Sequence, residues 1–302
     1  MSSPYRNSAV RRVPHISTVL GEGPVWDERT ASLYLVDIDR AELLCLRENR
    51  VESFSVAPGR ISAVFLTETT RLLCATDQGL VILDMQSKEC EWIGDIERDR
   101  IGNRTNDGKC DSLGRPWIGT MDASESGYSG ALYRMDPGAT ATRVLDGIGV
   151  SNGLDWSPDA KVLYYTDSMQ RLIWRFPFDA QSGALGPKEV FVTVPEEHGC
   201  PDGLAVDSQG FIWSAHWGGW RITRYDPQGA IERVLWLPVP RVTSLCFGGA
   251  DYRTLFITSA RIGLSVDVLS DAPLSGALFT YESEVAGRPP YRADLDRLRR
   301  PA

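Results

Sequence analysis

Histidine is scarce in this chain: His15, His198 and His216 are the only ones among 302 residues. A Ser-His-Asp triad therefore has few bases to draw on. The six cysteines, Cys45, Cys74, Cys90, Cys110, Cys200 and Cys246, form no C-x-x-C pair. That spacing argues against a zinc knuckle or a dithiol redox motif. It suits free thiols in a reducing compartment, so a cytoplasmic location is expected. No apolar run approaches the ~18 residues of a membrane span, and the opening MSSPYRNSAVRRVPHISTVL lacks the apolar core of a secretion signal. Neither a membrane nor a nucleic acid is an expected partner, because the formal net charge is −8. The one basic cluster, Arg292 to Arg300, reads as a solvated tail end. No segment keeps a helical period over ~10 residues, which removes alternating β and α units.

What the chain does have is a repeat. A Gly, an apolar pair, a turn with Asp, Pro or Gly and a second apolar or aromatic run recur along its length. The copies are GEGPVWDERTASLYLVDI from Gly21, NDGKCDSLGRPWIGTMD from Asn106, SNGLDWSPDAKVLYYTDS from Ser151 and PDGLAVDSQGFIWSAHWGG from Pro201, with weaker ones from Ile61 and Thr243. Their spacing of roughly 40 to 50 residues is that of propeller blades. Alternating hairpins such as GALYRMDPG at Gly130 and WRITRYDPQG at Trp220 come after each pair. The reading is all-β, a single six-bladed propeller over residues 1–302 with a central metal site. The blades are expected near 13–50, 51–95, 96–145, 146–195, 196–240 and 241–285, with a tail at 286–302. Val13 to Leu20 is expected to supply the outer strand of the last blade, since an open ring leaves unpaired edges.

The first strand of each blade lines the channel of a propeller. Aligning the repeats sets Glu22, Ile61, Asp107, Asn152, Asp202 and Thr243 at equivalent places in that ring. Carboxylates crowded into one channel call for a cation, and carboxylate and amide oxygens are what hard divalent ions prefer. Glu22, Asn152 and Asp202 are the candidate ligands. Either Asn106 or Asp107 faces the ion from the third blade.

These segments resemble a known family. GEGPVWD, NRTNDGK, SNGLDWSPD and PDGLAVD, in this order from Gly21 to about Tyr281, are similar to the signature segments of the SMP-30/gluconolactonase/regucalcin-like proteins; CFGG at Cys246 and TSAR at Thr258 extend the match. The resemblance implies a six-bladed metal-dependent lactonase. It implies Glu22, Asn152 and Asp202 as ligands and Arg104 and Asn106 as substrate contacts. Where some members carry Glu after the GTM segment, this chain has Ala123, with Asp122 beside it as the candidate substrate contact. HWGGW, with His216, Trp217 and Trp220, is closer to bacterial sugar-acid lactonases, and either tryptophan could wall a sugar face.

The expected reaction is opening of a sugar lactone to its aldonic acid, with one divalent ion (calcium, zinc, magnesium or manganese) and Asp202 as the base. A phosphotriesterase-like hydrolase on the same ion and a non-catalytic calcium-binding scaffold are the alternatives. Gly149 to Gly153 formally satisfies G-x-S-x-G around Ser151. The next residues, LDWSPDAKVLYYTD, read as strand, turn, strand rather than the helix a nucleophile elbow needs. His198, just before Asp202, reads as a loop histidine.

Overall fold

Two strand patterns run through the chain. Segments such as Ile61–Leu66 (ISAVFL) and Gly79–Asp84 (GLVILD) are apolar throughout and buried almost end to end, as strands covered on both faces must be. Segments such as Arg50–Ser55 (RVESFS) are mostly polar and largely exposed, with Phe54 turned inward. In the computed structural model, which describes residues 9–56 and 59–300, these strands pair antiparallel into six sheets. The first sheet runs outward through Gly21–Asp27, Ser32–Asp37, Glu42–Arg47 and Arg50–Ser55. The leading strands of the other five are Ile61–Leu66, Asn103–Cys110, Ser151–Trp156, Cys200–Val206 and Val242–Gly248. Each leading strand packs against the leading strands of its two neighbours, so the sheets stand as blades around a channel. The molecule is a six-bladed β-propeller.

The apolar core is divided into six clusters, each lying between two adjacent blades. Between the first and second blades Val36, Ile61, Val64 and Cys74 meet. Between the third and fourth, Trp117, Trp156 and Phe178 pack with ring centroids 5.7 to 5.9 Å apart. Fully burying one such side chain contributes about 1.5–3 kcal/mol, so the blades hold one another through these seams. Polar clamps fix the turns. Asp111 accepts from the Trp117 indole at 2.9 Å and from Arg115 at 2.6 Å; Asp207 does the same for Trp213 and Arg224.

Ring closure differs from the expectation. The outer strand of the sixth blade is Val10–Arg12, paired with Phe279–Glu282, and not Val13 to Leu20. Pro14 lacks a donor and His15 takes a φ of 65°, so the extended run ends there. Beyond His15 the chain crosses from the sixth blade to the first, with Thr18 N–H donating to the Gly276 carbonyl.

Arg292 to Arg300 is docked rather than a solvated tail. Arg292 bonds Asp27 at 2.9 Å and Glu28 at 2.7 Å, and Leu295 and Leu298 enter the cluster between the second and third blades. The strap begins earlier, with Gly287 N–H on the Tyr252 carbonyl, and crosses the foot of the channel. The helices are short, Val266–Asp271 and Leu295–Arg299, and no helix among the described residues is long and apolar enough to cross a membrane.

Candidate functional site

Every channel strand carries the same irregularity. Its pairing with the second strand slips between Glu22 and Val25, Ile61 and Ala63, Thr105 and Gly108, Asn152 and Leu154, Pro201 and Leu204, and Val242 and Leu245. A bulge re-aims side chains, and here it re-aims them at the channel. The glycines behind these residues are required by crowding. A Cβ on Gly153 would lie 2.5 Å from the Asp202 carbonyl oxygen, and one on Gly203 would lie 2.2 Å from the Ser244 hydroxyl. The Asn-Gly and Asp-Gly pairs thus belong to strands at their closest approach, not to turns.

At one mouth of the channel these residues line a cavity of about 380 Å³, within the range of small-molecule sites. Glu22, Asn106, Asn152 and Asp202 share its wall with Arg104 and Trp217. Asn152 donates to the Ser168 hydroxyl at 3.1 Å, and Ser168 donates on to the Pro201 carbonyl at 2.6 Å. The amide is thereby oriented, and its buried Oδ1 has no hydrogen-bond partner. The buried Oδ1 of Asp202 has none either. Burial, reinforced by the charge of Asp107, pushes the Glu22 carboxyl up to about 8. Burial and then the charges of Glu22 and Asp107 push Asp202 well above the ordinary carboxylate range. Orphaned buried oxygens and two mutually repelling carboxylates fit a hard divalent cation, which would satisfy the first and relieve the second. Among the described residues no three His, Cys, Asp or Glu side chains converge as a cage by themselves, so an amide is needed in the set.

Asn106 and Asp107 point to opposite ends of the channel. Asn106 lines the cavity. Its Oδ1 accepts from Arg104 Nη1 at 2.7 Å and its Nδ2 donates to the Ser151 carbonyl at 2.8 Å, so it holds Arg104 in place. Asp107 lines the lower channel with Lys109, Asp155 and Arg288. Lys109 bridges to Asp155 at 3.2 Å, and Arg288 of the strap reaches Asp155 at 3.1 Å and the Trp156 carbonyl at 2.7 Å. Only about 80 Å³ remains there, too little for a substrate.

Asp122 does not reach the cavity. Its carboxylate caps its own turn, accepting from the Ser124 amide and hydroxyl and from Ser126, and those bonds hold its pKa low. Glu125 lines the cavity instead, carried there by a turn in which its own φ is 54°. Its signal in the sequence was a carboxylate slightly further along a Ser-rich loop. Cys200 and Met169 line the cavity too, and neither had a chemical pattern to mark it. Trp217 is a wall of the cavity and Trp220 is not. Ser151 is fully buried and accepts from the Tyr165 hydroxyl at 2.6 Å within a strand, so the formal G-x-S-x-G is no elbow. His198 sits in a short turn whose carbonyl faces His216 Nδ1 at 2.9 Å, away from the cavity lining.

Fold and site together describe a propeller with an oxygen-lined cavity at one mouth of its channel. The model of the SMP-30/gluconolactonase/LRE-like region matches residues 20–261, and the chain belongs to that family. Regucalcin of Gallus gallus is 35% identical over 282 residues, covering 90% of this chain and 94% of its own. A pentonolactonase of Haloferax volcanii is 35% identical over 295 residues, covering 95% and 98%. The crystal structure of a calcium-binding regucalcin from Agrobacterium tumefaciens matches with a TM-score of 0.90 at 31% identity, covering 94% of this chain and 97% of that one.

Proposed function

We propose that this propeller, acting as one domain, is a divalent-metal-dependent hydrolase that opens the ester ring of a sugar lactone. The observation that carries the reading is one cavity holding Glu22, Asp202 and Asn152, two of them with orphaned buried oxygens, beside Arg104, which has no carboxylate partner within ion-pair distance among the described residues. The pentonolactonase relative supports the substrate class, and the calcium-binding regucalcin neighbour supports a divalent ion. Glu22, Asn152 and Asp202 are the residues that would hold calcium, zinc, magnesium or manganese. When bound, such an ion supplies Lewis acidity and a nucleophilic water near neutral pH.

This chain's own residues then do the rest. Asp202 accepts a proton from the attacking water as its oxygen bonds to the lactone carbonyl carbon. The ring C–O bond breaks, and the proton passes to the departing ring oxygen, leaving a hydroxy acid. Arg104 presents its remaining N–H groups to substrate oxygens in a rigid fork, with Asn106 fixing its orientation. Trp217 offers a flat apolar wall to the sugar face.

The test pairs metal titration by calorimetry with lactone kinetics. Chelation should abolish turnover, and a divalent ion should restore it. Asp202→Ala should lose both metal affinity and turnover. Arg104→Ala should still bind the ion, because a guanidinium does not ligate cations, and should lose about ten- to a hundredfold in kcat/KM, equivalent to about 1.5–3 kcal/mol. Metal bound tightly with no lactone opened would leave a calcium-binding scaffold. Wild-type metal affinity in Asp202→Ala would overturn the ligand set.

A further inference from the structure

The register slips place one residue of each blade immediately before the last regular pair of its channel strand. In the second blade it is Arg60, before Ile61; in the third, Arg104, before Thr105; in the sixth, Arg241, before Val242. Three arginines therefore stand one to three residues before the aligned ring positions Ile61, Asp107 and Thr243, at the end of the channel strands that holds the cavity. Arg60 has its own carboxylate, Asp77, at 3.5 Å. Arg104 and Arg241 have no carboxylate within ion-pair distance among the described residues.

Arg241 is held in place without being neutralised. Its guanidinium lies 4.5 Å from the centroid of Trp217, the cavity wall, and Nη1 donates to the Ile262 carbonyl. The backbones of Arg241 and Trp217 are bridged as well. The charge of Glu125, itself a lining residue, acts on both Arg104 and Arg241. Stacking on an indole and one carbonyl contact leave most of the five donors of Arg241 unused.

Charge at the site sets what those donors receive. Glu22, Asp107, Asp155 and Asp202 are offset by Lys109, Arg288 and one divalent ion. Of the charged groups that act on one another at the mouth, Arg104 and Arg241 outnumber Glu125, the carboxylate acting on both, by a single charge. A neutral substrate would leave one of these two partly desolvated guanidiniums without a counterion, whereas a monoanion completes the site.

We infer that Arg241, seated on Trp217, is a specificity residue that receives a carboxylate carried by the lactone at its end remote from the ester, so that the preferred substrate is an acidic sugar lactone. The inference rests on the lactone-hydrolase reading above. A phosphomonoester in the same place would bring more negative charge than the single positive charge balances.

The test compares a hexono-1,4-lactone with the hexaro-1,4-lactone of the same stereochemistry, which differ only in CH2OH against carboxylate at the far carbon. With metal-loaded enzyme, kcat/KM should favour the acidic lactone at least tenfold. In Arg241→Gln that ratio should fall by about tenfold or more, through KM, and Arg241→Lys should restore part of it. The ratio is the readout, so a general loss of fold or metal leaves it unmoved. A wild-type ratio of one or less, or a ratio untouched by Arg241→Gln, overturns the inference. A phosphorylated lactone that outperforms the carboxylate overturns the assignment to a monoanion. Calorimetric binding of the two ring-opened acids, aldonate and aldarate, to the metal-loaded wild type and to Arg241→Gln separates the two readings. If the wild type opens no lactone, the hydrolase reading fails, and the binding preference still decides the role of Arg241.

Discussion

His216 shows how a single residue can tie stability to pH without touching the chemistry. It is fully buried on the second strand of the fifth blade, with Nδ1 facing the His198 carbonyl at 2.9 Å and Nε2 buried without a partner. Burial drives its pKa down from 6.5 to about 3. A folded value below the unfolded one means that the unfolded chain binds the extra proton. The stability held by neutral His216 is therefore complete above the ordinary histidine range and is lost as the pH falls from about 6.5 toward 3, at up to about 1.4 kcal/mol per pH unit. Urea unfolding at a series of pH values between those limits should show a shallower acid decline for His216→Gln than for the wild type. Parallel declines would assign the acid sensitivity elsewhere.

The C-terminal strap is the element that stoppers the foot of the channel. Arg288 and Asp155 are both largely shielded, and Lys109 remains beside Asp155 if Arg288 is removed. Arg288→Ala should cost about 2 kcal/mol in urea unfolding, from a lost charged hydrogen bond and a lost bond to the Trp156 carbonyl. Arg299→Ala, whose partner Glu91 is an exposed group, should cost less than about 0.5 kcal/mol. Equal effects would mean that the strap is held by Leu295 and Leu298 alone. This element was unreadable in the sequence because its anchors are two leucines among arginines, with no repeat partner for comparison. The channel strands were readable for the opposite reason. Their Asn-Gly and Asp-Gly pairs recur at blade spacing, and the glycines that the close approach demands keep the phase visible. Asp122 and Glu125 fell outside that logic: which carboxylate of a short Ser-rich loop reaches the cavity depends on the turn conformation, and that leaves no periodic trace. Arg241 was equally silent, since its meaning comes from Trp217 on another blade.

Across the whole molecule, the ring depends on a strand borrowed from the other end of the chain. Val10–Arg12 covers the edge of Phe279–Glu282 through three residue pairs among the described residues, with Val13 N–H on the Leu278 carbonyl beside them. Deleting residues 1–12 should lower stability by about 1 to 2 kcal/mol. It should also expose a bare strand edge, so size-exclusion chromatography should show concentration-dependent association absent from the full chain. A deletion that stays monomeric with unchanged unfolding would make the closing strand dispensable.

That borrowed strand also orders events in time. The candidate ligands come from the first, fourth and fifth blades, while the seam between the sixth and first blades needs both Val10–Arg12 and Phe279–Glu282, the two ends of the described chain. A chain leaving the ribosome carries Glu22 long before Asp202, and its first residues must wait for the sixth blade before they have a partner. A product truncated before Asp202 therefore holds a partial set of oxygens, and one truncated before the sixth blade holds the oxygens in an unsealed ring, so only the sealed ring reports that synthesis has run to the last blade.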